Sequence, residues 1–347
     1  MNVVELKKLE ENYRACSAIA EQFLLAVNEQ LLRLLDEKKI HLGCPVEKRI
    51  KTWQSIAEKC ERKTLQISGV IDLDDLVGVR LVLLFRRDVQ TTCEMIENQF
   101  QIVSSEDTAL RLTDEQFGYG SVHYIARFPE SWMNVPTLKP FRNFKVEIQV
   151  RTLAQHMWAA ASHTLQYKQE SSVPPPLRRS IHRASALLET VDLEFERLLG
   201  EKDAYIKSLP DTPGDDLLNV DSLEKILDRL LPKQNKDDAI PEPFAELLTD
   251  LAHFGVTTSD HLEKLVGKHL KEVLETEAKY VKQSPVPVRD NSPRGFTRRV
   301  RGVFFTHAGL TRRVLSEAFG KKWLDYSSKK PRRVALLKLS KKLRLKG

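Results

Sequence analysis

The sequence contains no apolar run near the roughly 20 residues that span a bilayer; stretches such as Leu81-Val82-Leu83-Leu84-Phe85 stop at five. This excludes a membrane-spanning helix. The opening MNVVELKKLEEN places acids where a secretory signal would carry a basic patch and an apolar stretch, so the expected compartment is the cytoplasm. Cysteine is scarce: Cys16, Cys44, Cys60 and Cys93 are far apart, with no C-x-x-C pair and no histidine at metal-ligand spacing. A disulfide framework and a thiolate metal site are therefore not expected, and the thiols should be free. There is no internal repeat. What is present, 41% apolar and 30% charged residues in 347, is the composition of a soluble globular protein long enough for two domains.

The net charge of +7 hides a strong segregation. Residues 281–347 hold 19 Lys and Arg against three acids, whereas 209–280 hold 16 acids against eight bases. A basic arm of this kind could meet nucleic acid or its own acidic neighbour. Apolar positions spaced by threes and fours predict a long helix over Val4 to Leu35. Gly43 and Pro45 end that region, and Glu47 to Lys63 reads as a second, basic helix. Strand-like runs follow at Leu76 to Phe85, Tyr119 to Phe128 and Phe144 to Val150, with helical patterns at Val89 to Gln99 and Thr152 to Lys168. Alternating helices and strands imply an α/β unit. Pro174-Pro175-Pro176 breaks the chain before a helix from Leu177 to Ser208. Pro210 to Asp216 is rich in breakers and marks a linker, followed by helical patterns at 218–231, 243–254 and 259–280 and a final basic helical region.

Three segments carry residues suited to chemistry. With a side-chain period of two, Val146, Ile148 and Val150 face one side of a strand and Glu147, Gln149 and Arg151 the other. A carboxylate, an amide and a guanidinium in line could hold a metal, orient a hydroxyl and bind a phosphate; the same alternation also describes a half-exposed strand. Asp74-Asp75 precedes a strand containing Arg80, where a carboxylate could hold a divalent metal that carries substrate phosphates, or simply shape a turn. Gly118-Tyr119-Gly120-Ser121-Val122-His123 could present Tyr119 as a platform for a base, or form a hairpin edge. Lys51, Ser55 and Lys59 recur at helical spacing, as a solvated basic face would.

In order, RIKTWQSIAEK, DLVGVRL, GYGSVHY and VEIQVRTLAQHMWAAASHTLQYK resemble the synthetase domain of the RelA/SpoT family, especially its small alarmone synthetases, over roughly Val4 to Ser208. The resemblance implies a nucleotidyltransferase-like α/β (α+β) fold, a mixed β-sheet flanked by helices, and an ATP-dependent transfer of pyrophosphate to the 3′-hydroxyl of GDP or GTP, with Mg2+ as cofactor. By that resemblance Asp75 binds Mg2+, and Glu147 assists the metal and draws the proton from the hydroxyl. Arg49 and Arg80 sandwich adenine, and Lys51, Ser55 and Lys59 lie along the triphosphate. Tyr119 stacks on the acceptor base, while His123, Gln149 and Arg151 fall on the acceptor or phosphate side. His163 and Lys168 match a His and a Lys of the following helix, where His163 either packs or contacts substrate.

Two positions depart from the family pattern. Gly120 stands where many relatives carry Arg or Gln, and Ser162 where small synthetases often have Glu. Both lie toward the acceptor, so ATP use is better supported than a guanine nucleotide as acceptor. No His-Asp dipeptide occurs, so the metal-dependent hydrolase half of larger members is not expected. The organisation implied is a synthetase domain at 1–208, a linker at 209–216 and a mainly helical C-terminal domain at 217–347 that regulates the enzyme, takes a regulatory protein partner or binds RNA through its basic tail. The alternative acceptor is the 3′-CCA end of tRNA, as in toxic family members, because a basic tail suits RNA phosphate.

Overall fold

The computed structural model describes residues 3–63, 67–108, 120–165, 175–210, 212–236, 242–283 and 302–330. The chain divides into two compact units, Met1–Glu201 and Lys202–Gly347. The first is built on a five-stranded mixed sheet: β1 (Glu47–Ile50), β2 (Val77–Leu83), β3 (Gln101–Asp107), β4 (Val122–Arg127) and β5 (Val146–Thr152), in spatial order β1-β2-β5-β4-β3. Only the central pair β2 and β5 is parallel; every other neighbour is antiparallel. The expected α/β (α+β) class and flanking helices are present.

Alternation on β2 and β5 decides which face is core. Val79, Leu81, Val146, Ile148 and Val150 are buried with Phe23, Val27 and Leu31 of α1 (Val3–Glu37) and Met95 and Ile96 of α3 (Arg86–Gln99). Phe23 of α1 makes ring contacts with Phe128, Phe141 and Phe144 at centroid separations of 5.2–5.6 Å. Burying side chains of this size contributes about 1.5–3 kcal/mol each, so α1 is fixed to the sheet along its length. The unit is completed by α2 (Trp53–Lys63), α4 (Leu153–Leu165) and α5 (Pro175–Ser208) as far as Glu201. At the end of β5 the buried Thr152 donates its hydroxyl to Asp192 of α5 at 2.6 Å.

The basic segment expected as one helix over Glu47 to Lys63 is split. Glu47–Ile50 pairs with β2 as an edge strand, and the helix starts only at Trp53. The β-ladder supplies Glu47–Ile50 with backbone partners that a helix ending in Lys51-Thr52 would have to replace, so tertiary pairing overrides helical spacing. A further strand, β3, was not among the three expected; its polar residues form the opposite edge.

The second unit is helical: α6 (Val220–Leu230), α7 (Phe244–His253), α8 (Ser259–Gln283), α9 (His307–Phe319) and α10 (Lys321–Ser328). Leu223, Leu227, Leu247, Leu251, Leu262, Val266, Leu310 and Val314 form its core. Asn219 caps α6 by accepting from Ser222 N, and Thr306 caps α9. The segment expected as a linker is hydrogen-bonded into this unit: Gly214 N donates to Ser259 Oγ at 2.8 Å, and Gly214 O accepts from Asp260 N at 3.1 Å. Its fully buried Asp250 accepts from Arg312 Nε at 2.8 Å and from Tyr326 and Lys330. Among the described residues no helix is long and apolar enough to cross a membrane.

Candidate active site

The sheet face opposite the core carries two rows of side chains set by strand register. One row runs Arg49, Gly78, Glu147; the next runs Glu47, Arg80, Gln149, His123. Paired residues point to the same side of a sheet, so five of the expected site residues, Arg49, Arg80, His123, Glu147 and Gln149, share one surface because of pairing alone. Glu47, Arg49, Gly78, Arg80, Glu147 and Gln149 line a cleft of about 170 Å3 there.

In the first row, Arg49 must reach across β2 to meet Glu147, and Gly78 is what it crosses. A Cβ on Gly78 would stand 3.2 Å from Arg49 Nε and 3.3 Å from its Cγ. With that space open, Arg49 lies over the strand and one terminal nitrogen comes within 3.4 Å of Glu147 Oε2. The other carboxylate oxygen of Glu147 is 3.3 Å from His123 Nδ1. The His123 hydrogen bond, with further help from Gln149 and Arg49, holds the Glu147 carboxyl below its ordinary range despite burial. In the second row, Gln149 Oε1 accepts from Arg80 Nε at 3.0 Å and from Arg151 at 2.7 Å, while Arg80 also pairs with Glu47. Burial, then the neighbouring Arg80, pulls the Arg151 guanidinium down to about 10. Its Nε has no partner among the described residues.

Beside the sheet, Asp75 sits two residues before β2. The loop leading to it is fixed at both ends. Ser68 N and Oγ and Gly69 N donate to Asp72 Oδ2 at 2.7–3.0 Å, Val70 N donates to Asn12 of α1, and Lys145 Nζ donates to Asp72 O and Asp74 Oδ1. Lys51, whose backbone N–H bonds Leu76 O, and Lys59 of α2 both place their ammonium groups on Asp75 Oδ2, at 2.6 and 2.8 Å. Burial alone would raise the Asp75 carboxyl; the two ammonium groups outweigh it and the carboxyl lies below its ordinary range. Asp75 Oδ1 is buried and, among the described residues, without a partner. An orphaned hard oxygen of this kind suits a divalent cation, which needs only one or two carboxylates when substrate phosphates complete its shell. No cluster of three or more His, Cys, Asp or Glu suited to a metal occurs among the described residues.

The structure thus gathers Arg49, Arg80, His123, Glu147, Gln149 and Arg151 in one hydrogen-bonded set and Lys51, Lys59 and Asp75 in another. Ser55, on α2, accepts from Thr52 Oγ1 instead. Tyr119 and Lys168 lie outside the described residues, as does the side chain of His163, which belongs to α4. Sequence reasoning missed Glu47, Gly78 and Ser121. Glu47 and Gly78 were legible only through the register of β1 on β2, and Ser121 through the strand periodicity that sets it on the same face as His123.

Comparisons with known proteins bear on the family of the chain. Residues 48–172 match the family described as the region found in RelA / SpoT proteins. The chain is 30% identical over 155 residues to the GTP pyrophosphokinase YjbM of Bacillus subtilis, covering 44% of this chain and 70% of that protein. It is 29% identical over 171 residues to the GTP pyrophosphokinase YwaC of the same organism, covering 47% and 77%. Among solved structures, the small alarmone synthetase 1 from Bacillus subtilis is similar with 26% identity and a TM-score of 0.46, over 56% of this chain and 99% of that one.

Proposed function

The chain belongs to the RelA/SpoT family of synthetase domains, and from that premise we propose that it is an ATP-dependent 3′-pyrophosphokinase that makes guanosine alarmones from GDP or GTP. The observation that carries this reading is the row Arg49–Gly78–Glu147 beside the Asp75–Lys51–Lys59 cluster. It places a carboxylate held ionised, a flat cation and two ammonium groups at one end of the central strands. Similarity to two GTP pyrophosphokinases supports a guanine nucleotide as acceptor.

In this reading the Arg49 and Arg80 guanidinium planes stack on adenine, and Lys51 and Lys59 turn from Asp75 to the triphosphate. Glu147 takes the proton of the 3′-hydroxyl as that oxygen attacks the β-phosphorus; the O3′–Pβ bond forms, the bond from Pβ to the bridging oxygen of the α-phosphate breaks, and AMP leaves. Arg151, held by Gln149, faces phosphate charge as it shifts. Asp75 through its free Oδ1, with Glu147, would hold Mg2+, which supplies charge neutralisation on the phosphates. The test is to offer ATP labelled at the γ-phosphate with GDP, GTP, ATP or deacylated tRNA and separate the products. Label in a guanosine 3′-pyrophosphate is expected. Label in tRNA with none in nucleotides would overturn the acceptor assignment, and no transfer to any acceptor would overturn the reaction.

A further inference from the structure

Ser121 lies two residues before His123 on the same face of the strand edge, and its hydroxyl is 2.7 Å from His123 Nε2. The other ring nitrogen, Nδ1, is 3.3 Å from Glu147 Oε1. A carboxylate accepts hydrogen bonds, so the tautomer that serves this contact is the one with the proton on Nδ1. In the neutral ring Nε2 is then an acceptor, and Ser121 is the donor that meets it. The hydroxyl is itself held in place. Ser121 N–H donates to Thr108 Oγ1 at 2.7 Å, while Ser121 O accepts from Thr108 N and Oγ1 at 3.1 Å each. That clamp ties the start of β4 to the end of β3.

We infer that Ser121 is a positioning residue for the reaction: its hydroxyl selects the Nδ1–H tautomer of His123 and fixes the ring, and the ring in turn fixes the carboxylate of Glu147 toward the acceptor. The inference deepens the proposed function and rests on it for the role of Glu147. The geometry explains why a serine does this at 2.7 Å from a ring whose side chain is one-quarter exposed. Without a donor at Nε2, the Nε2–H tautomer and a flipped ring both become accessible, and both turn a lone pair or a C–H toward Glu147. Asp107, Ser105 and Glu97 line the adjoining cavity of about 600 Å3, to which Ser121 also belongs.

The test uses the full chain labelled with 15N at histidine, at about pH 8, well above the ordinary histidine range. The ring nitrogens of His123 are assigned by loss of their signals in His123→Asn. The wild type should show a single Nδ1–H pattern. Ser121→Ala should show a mixture of tautomers and a roughly tenfold lower kcat with KM for ATP unchanged, while Ser121→Thr, which keeps the donor, restores both. An unchanged His123 spectrum in Ser121→Ala, or Ser121→Thr as impaired as Ser121→Ala, would overturn the inference. The ring spectrum does not depend on turnover, so a wild type that transfers nothing refutes the proposed reaction separately, while the tautomer result still stands or falls by itself.

Discussion

Glu147→Gln separates chemistry from nucleotide binding more sharply than any other substitution in this site. In the proposed reaction the Glu147 carboxylate takes the proton of the acceptor hydroxyl, and a positioned general base contributes about 10²–10⁴-fold. An amide of the same shape should therefore lose at least about 100-fold in kcat. The same change also releases Arg49. Its contact with Glu147 is long, 3.4 Å, and its side chain is 57% exposed, so the pair is worth at most about 1 kcal/mol after solvent screening. If adenine competes with Glu147 for Arg49, removing that competition should tighten ATP binding by no more than about fivefold and should not weaken it. Transfer of label from ATP and calorimetric titration with ATP measure the two effects. Turnover within about tenfold of wild type would remove Glu147 as the base. ATP affinity falling more than tenfold would show that the carboxylate supports the nucleotide site instead of restraining Arg49.

Lys59→Met leaves Asp75 with Lys51 alone and should lower stability by about 1–2 kcal/mol at neutral pH, measured by urea unfolding, while raising KM for ATP about tenfold. Because Asp75 titrates below its unfolded value, its stabilisation is present above about pH 4 and lost as pH falls through the folded value. The gap between wild type and Lys59→Met should therefore close on acidification. Gly78→Ala should raise KM for ATP several-fold with little change in melting temperature, because the new methyl displaces only the flexible Arg49 side chain. Asp192 behaves in the opposite sense to Asp75: burial raises its carboxyl against the Thr152 hydrogen bond, so its ionised form is the unfavourable one, and wild type gains stability as pH falls through that raised value. Asp192→Asn, which still accepts from Thr152, should melt at or above the wild-type temperature at neutral pH. Asp192→Ala, which strands the Thr152 hydroxyl, should melt lower.

The strands that carry the chemistry were legible because they are central. On β5 the apolar Val146, Ile148 and Val150 alternate with polar residues, so the period of two survives and assigns Glu147, Gln149 and Arg151 to a common surface. The edges were not. Glu47-Lys48-Arg49-Ile50 has a single apolar residue and continues without interruption into a basic helical pattern, and Gln101–Asp107 shows no alternation at all. Such strands exist because a neighbour offers hydrogen bonds, which local sequence does not record. The C-terminal helices were placed within three residues because their apolar stripes are broad: the expected 218–231, 243–254 and 259–280 are observed as Val220–Leu230, Phe244–His253 and Ser259–Gln283. In the site, the residue types were readable, but their pairings were not. That Lys51 and Lys59 share one oxygen of Asp75, or that Arg49 passes over Gly78, depends on register and on helix placement.

The two side-chain sets of the cleft have a kinetic consequence. Arg49, Lys51, Lys59, Arg80 and Arg151 stand against Asp75, Glu147 and Glu47, and most of these charges are already paired with one another. Opposed charges a few ångströms apart cancel at a distance, so an approaching polyphosphate meets only the excess of five cations over three carboxylates until it is within reach of individual side chains. Capture of nucleotide should consequently owe little to long-range attraction, and its association rate should vary only mildly with ionic strength. Once contact is made the partners exchange, and the cancelled charges become the ones that hold the nucleotide in place.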